Sequence, residues 1–165
     1  KDPTLDLVGG QVLEFENDVS DVSGKRSVPA EHGEIAAFLK KRNAFNHPTV
    51  MFKKSSVLKA GNYRGRHLVE DYDLWLRMLA GGCRFLNLPE TLVYIKTVCR
   101  VSPDMYERRG GAEYFRSLKE LEKDKRKAGL TNAIQYAANI TMRFVQCVIA
   151  RGNIRRIVYQ KILRK

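Results

Sequence analysis

A chain of 165 residues, 44% hydrophobic and 29% charged, has the length of one ordinary domain and the make-up of a globular protein, which excludes an intrinsically disordered one. The formal net charge is +12, and from Arg143 to the end there are seven basic residues and no acidic one. No uncharged apolar run approaches the ~20 residues needed to span a bilayer, and the three cysteines and three histidines lack the paired spacing of a zinc site.

In chain order, Leu5 to Phe15 reads as a strand, with β-branched and aliphatic residues leading into alternation at Val12, Leu13 and Phe15. Gly9-Gly10 in its middle predicts a bulge or a close backbone approach. Residues Glu16 to Pro29 are polar and turn-rich and read as a surface loop. A short helix is expected over Glu31 to Lys41, with Ile35, Phe38 and Leu39 on one face. Thr49 to Phe52 reads as a second strand, and Ser55 as the cap of a short helix that Gly61 ends. A loop from Asn62 to Val69 then delivers Glu70-Asp71-Tyr72-Asp73. Beyond it, Leu74, Trp75, Met78 and Leu79 form an apolar stripe at helical spacing that Gly81-Gly82 stops.

Residues Cys83 to Tyr94 read as another strand, interrupted at Pro89. The remainder is expected to be helical. Tyr106 to Lys127 carries a packing stripe of Tyr114, Leu118 and Leu121, and Thr131 to Ala150 carries Ile140, Phe144 and Val148. Asn153 to Lys165 sets Ile154, Ile157, Val158 and Ile162 against its basic residues. The expected organisation is therefore an α/β part over 1–100 and a helical extension over 101–165. Cys83, Cys99 and Cys147 are expected as buried free thiols of a reducing compartment.

Glu70, Asp71 and Asp73 stand within four positions at a helix start. Acidic residues are favoured there because they accept hydrogen bonds from orphan N–H groups and complement the helix dipole. That accounts for one or two carboxylates comfortably and a third less so. The functional alternative is a general base, which takes the proton from a hydroxyl as its oxygen attacks. Both readings remain open on spacing alone.

The run Arg42-Asn43-Ala44-Phe45-Asn46-His47-Pro48-Thr49-Val50-Met51-Phe52, then Ala60-Gly61-Asn62-Tyr63, then Glu70-Asp71-Tyr72-Asp73-Leu74-Trp75-Leu76-Arg77, resembles family 2 glycosyltransferases. More narrowly, it resembles the non-processive bacterial branch that builds exopolysaccharide, capsule and O-antigen units. The resemblance implies the C-terminal, acceptor-side part of a Rossmann-like GT-A fold. The half that holds the nucleotide would precede Lys1. It implies Asp71 as the base of an inverting displacement, Glu70 as its neighbour in the motif, and Asp73 and Arg77 as supports of the helix and the acceptor cleft. Asn46 and His47 are further candidates for substrate contact, beside the alternative that they form a turn fixed by Pro48. Trp75 reads as core in preference to a sugar platform.

The family's metal-binding Asp-x-Asp lies upstream of the region the resemblance covers. Asp71-Tyr72-Asp73 has that spacing but belongs to the acceptor-side motif. A divalent ion (Mg or Mn) and a nucleotide-sugar donor are thus implied for the whole enzyme, with a saccharide or lipid-linked acceptor, and neither metal nor nucleotide is expected to bind well to this portion. The basic tail suits a peripheral position at the inner, cytoplasmic face of an anionic membrane. A helix packed on the domain with a solvated basic face is the alternative. Unpaired sheet edges would admit a homodimer. The rival to an enzyme is a non-catalytic basic module for anionic membrane or nucleic acid, but no nucleic-acid motif appears, and nucleic acid is not an expected partner.

Overall fold

The computed structural model describes residues 2–96 and 109–149. The chain divides into two compact units, one formed by 1–64 with 70–100 and the other by 65–69 with 101–165.

The first unit is mixed α/β and is built around β1 (Leu7–Phe15). β4 (Phe85–Lys96) runs parallel along its length. β2 (Val22–Arg26) pairs antiparallel with Val12 to Phe15, and the short β3 (Met51–Phe52) with Leu7 and Val8. Three helices, α1 (His32–Leu39), α2 (Lys54–Lys59) and α3 (Glu70–Ala80), occupy the connections, with α3 leading into β4. The parallel pairing of β1 and β4 requires such a long crossover. Leu7, Val12, Ile35, Leu39, Phe45, Leu74, Trp75, Met78 and Phe85 form the buried core.

Of the two expectations at Gly9-Gly10 the close approach is present, and the extra residues of the adjoining bulge lie in β4. The β1–β4 register shifts between Gly9 and Gln11, and the partners jump from Asn87 to Thr91 across Pro89. A Cβ at Gly9 would sit 2.3 Å from Asn87 Oδ1, and one at Gly10 would sit 2.5 Å from Leu92 Cδ1. Both positions therefore accept only glycine without rearrangement. Buried Gln11 closes the region by donating to the carbonyls of Val28 and Leu88 and accepting from Val28 N at 2.8 Å.

Three expectations need correction. Residues 16–29 are not all loop, because 22–26 pair with β1. Thr49 lies in a 3₁₀ turn (His47–Thr49), so the second strand is only Met51–Phe52. Helix α2 begins at Lys54 with Lys53 as its N-cap, and no side chain caps it. Its predicted stop holds: Gly61 has φ of +85°.

The second unit contains α4 (Gly111–Lys127) and α5 (Ala133–Phe144), with a π-helical turn (Val145–Ile149) continuing α5. Tyr114, Leu118 and Leu121 are buried, as their spacing predicts. Val69, Tyr114, Leu118 and Cys147 form the apolar cluster. Asn132 caps α5, its side chain accepting from Gln135 N at 2.8 Å. The expected helix face of Ile140, Phe144 and Val148 is displaced, for Phe144 is 43% exposed while Arg143 and Gln146 are buried. Cys83 and Cys147 are free thiols, the first half-buried and the second buried. Cys99, residues 106–108 and the tail 153–165 lie outside the described residues.

Candidate active site

The site grows from β1 at Gly10, opposite the bulge in β4. Gly10 N donates to Thr49 Oγ1 at 3.0 Å, and Thr49 Oγ1 donates to Asn46 O at 2.7 Å. Asn46 Nδ2 donates to Gly10 O at 2.9 Å. These bonds fasten the 3₁₀ turn to the strand, with Pro48 fixing its start. His47 is left exposed on that turn.

A second anchor comes from α3. Arg77 donates to Asp73 Oδ2 from Nε at 2.9 Å and from Nη2 at 2.7 Å. It also donates to Asn62 O at 2.7 Å and to Ala60 O. The planar guanidinium can serve a carboxylate and two carbonyls together, which an ammonium cannot do in the same fixed geometry. The strapped turn includes Gly61 and Asn62, whose φ values are +85° and +57°. It brings Tyr63 to the 3₁₀ turn, where His47 Nε2 and Tyr63 Oη lie 3.2 Å apart. The rings of His47 and Tyr63 lie edge-on to Trp75, with centroids at 6.1 and 6.4 Å.

Asp71 stands in the first turn of α3 and is half-buried. Its Oδ2 accepts from Asn43 Nδ2 at 2.8 Å and its Oδ1 from Tyr72 N at 2.6 Å. Tyr72 in turn donates to Leu39 O at 2.5 Å, which ties the start of α3 to the end of α1. Glu70, also half-buried, precedes it. Burial, and then the negative charges of Asp71 and Glu70, raise the Tyr63 phenol above its ordinary pKa. The Tyr63 phenol thus lies within electrostatic reach of two carboxylates and in contact with an imidazole.

Asn46 and Asp73, expected at the substrate, are each only 1% exposed. Asn46 is spent on holding the turn to β1, and Asp73 on orienting Arg77. Arg77 spends its donors on Asp73 and the 60–62 turn. All three position the site from behind it. Trp75 is fully buried among Phe45, Phe52, His47 and Tyr63. Its indole N–H has no acceptor among the described residues. Asp71 and Asp73 do not make a metal pair, because Asp73 is buried against Arg77. Among the described residues no three His, Cys, Asp or Glu side chains gather as metal ligands.

No protein-family model matches the chain. Individual relatives do. The chain is 35% identical over 163 residues to an uncharacterised glycosyltransferase of Haemophilus influenzae, covering 99% of this chain and 58% of that protein. It is 32% identical over 166 residues to the UDP-Gal:alpha-D-GlcNAc-diphosphoundecaprenol beta-1,3-galactosyltransferase of Escherichia coli, covering 100% of this chain and 58% of the relative. The chain is similar to glycosyltransferases. A third of them, the amylovoran biosynthesis glycosyltransferase AmsE of Erwinia amylovora, is 36% identical over 118 residues, covering 70% of this chain and 41% of that protein. The chain spans 58% of the length of the first two of these glycosyltransferases.

Asn43 and Tyr63 were not singled out from the sequence as site residues. Each stands inside a run that carries the glycosyltransferase resemblance. Asn43 reaches Asp71 across 28 positions of chain, however, and no local pattern marks that contact.

Proposed function

We propose that this chain is the acceptor-side portion of an inverting, GT-A-type glycosyltransferase of family 2 that works in cell-surface polysaccharide synthesis. The observation that carries the reading is Asp71, which is half-buried at the head of α3, held by Asn43, and close enough for its charge to act on Tyr63, which contacts His47.

In the proposed reaction, a hydroxyl of a saccharide or lipid-linked acceptor gives its proton to Asp71 as its oxygen attacks the anomeric carbon of the donor sugar. The new carbon–oxygen bond forms on the face opposite the leaving group. The bond to the nucleotide diphosphate breaks with its electron pair on phosphate oxygen. Asn43 orients the carboxylate, Glu70 adds to the local negative charge, and His47 with Tyr63 contacts the acceptor. The nucleotide sugar and a divalent ion are assigned to the rest of the whole enzyme, and no residue described here is given to them. The nucleotide-binding half, or in its absence a second copy of the chain, is proposed to cover β4, where Leu92 and Tyr94 are 44% and 49% exposed.

The same reading places the enzyme at the inner face of an anionic membrane, with the basic tail on the lipid. No helix among the described residues is long and apolar enough to cross a bilayer. The test is His47→Ala and Tyr63→Phe in the whole protein, with acceptor varied. If both contact the acceptor, KM for acceptor rises in each while KM for the nucleotide sugar is unchanged. Unchanged acceptor KM in both variants contradicts the assignment.

A further inference from the structure

Helix α5 has its polarity reversed. Residues 133–149 contain one charged side chain, Arg143, and it is buried with Gln146. They meet buried Glu122: Arg143 Nε lies 3.8 Å from its carboxylate, Asn139 donates to it at 2.9 Å, and Lys125 is paired with it at 2.6 Å. With the polar side turned inward, the outward side of α5 and its π turn is apolar. Ile134 is 80% exposed, Met142 53%, Val145 41% and Ile149 61%. Their spacing of eight, three and four positions keeps them on one face, and exposed Ala138 and Thr141 complete it. At 1.5 Å per residue the stripe is roughly 25 Å long, a contiguous apolar surface of the kind that marks an interaction site.

The charge of the chain selects the occupant. From Lys125 to Lys165 there are ten basic residues and no acidic one. Arg126 and Lys127 are exposed at the end of α4, before the turn that leads to Ile134. A second copy of this chain would bring the same net charge of +12, with its own Arg126 and Lys127, against these. A surface of anionic phospholipid offers both opposite charge and an apolar layer beneath it. We propose that the outward face of α5, through Ile134, Met142, Val145 and Ile149, docks into the headgroup layer of an anionic bilayer, lying in its plane. This deepens the membrane reading given for the tail and assigns the insertion to different residues. It does not depend on the transfer reaction.

The test is sedimentation of the whole protein, without donor or acceptor, with vesicles of phosphatidylglycerol and phosphatidylethanolamine or of neutral phosphatidylcholine. Wild type binds the anionic vesicles at least tenfold more tightly. The combined variant Ile134→Asn, Met142→Gln, Ile149→Asn, all at exposed positions, loses at least tenfold in that binding with its unfolding midpoint unchanged. It retains transfer to a water-soluble acceptor, which separates this proposal from the catalytic one. Wild-type binding by the triple variant overturns the proposal. So does a lipid-free dimer of wild type that the triple variant converts to monomer, since the stripe would then be a chain–chain contact. Should the triple variant fail to fold, Ile134→Trp serves instead: anionic vesicles shift its added emission to the blue, and an unshifted spectrum overturns the proposal. Arg155→Gln with Arg156→Gln, assayed in parallel, reads the tail separately.

Discussion

Asp71 and Glu70 hold the Tyr63 phenol above its ordinary pKa, after burial itself, so removing one of these charges must let it fall. Asp71→Asn is therefore expected to lower the pKa of Tyr63, read as a phenolate absorbance that develops at lower pH than in wild type. An unchanged titration would mean that the phenol does not sense Asp71. The 3.2 Å His47–Tyr63 contact gives a second handle, because Tyr63→Phe removes the hydroxyl and frees the imidazole. Arg77 acts at the same scale but through backbone. Arg77→Lys keeps the charge and loses the forked geometry that joins Asp73 to the 60–62 turn. It is expected to cost about 1–3 kcal/mol in urea unfolding, and wild-type stability would show that the strap is dispensable.

The 3₁₀ turn of the site stands where it does because side chains fasten it to β1 at Gly10. Gly10 N donates to Thr49, and that bond ties the 3₁₀ turn carrying His47 to β1. Gly9→Ala would force a Cβ to 2.3 Å from Asn87 Oδ1 and 3.1 Å from Phe45 Cδ1, so thermal unfolding should show a loss of about 1–3 kcal/mol. Gly33→Ala in α1 meets nothing within 4 Å and should gain up to about 1 kcal/mol by helix propensity. Equal effects of the two changes would contradict the packing account. Much of this was legible beforehand. The Gly9-Gly10 pair announced a close approach, and the Leu74, Trp75, Met78 stripe with its acidic head announced α3. β2 was not legible, since Val22 to Arg26 is short, polar and mostly exposed, and becomes a strand only by pairing with β1. The orientation of α5 was not legible either. Its apolar residues read as a core stripe, but Glu122, 17 positions before Asn139, draws the polar side inward. The depth of two candidate residues was not legible either, because sequence spacing does not report that Asn46 and Asp73 lie beneath the surface.

Across the whole molecule, positive charge is the dominant electrostatic feature, and one lysine is buried within it. Burial lowers the Lys125 pKa from 10.5 to about 8 against the pull of Glu122, and Arg143 lowers it further. Between pH 8 and 10.5 the unfolded chain keeps this proton and the folded one does not. Stability from this group therefore rises with pH across that window and is flat below it. The stability of wild type relative to Lys125→Met should accordingly increase from pH 8 to pH 10 in urea titrations, and a constant or falling difference would contradict the buried-lysine account. The enzymatic account rests on a single proton transfer. Its most direct test is the transfer rate of Asp71→Asn in the whole protein at saturating donor and acceptor. The account predicts a loss of about 10²–10⁴-fold in kcat, with the folded structure retained. Turnover at the wild-type rate would remove Asp71 from the chemistry.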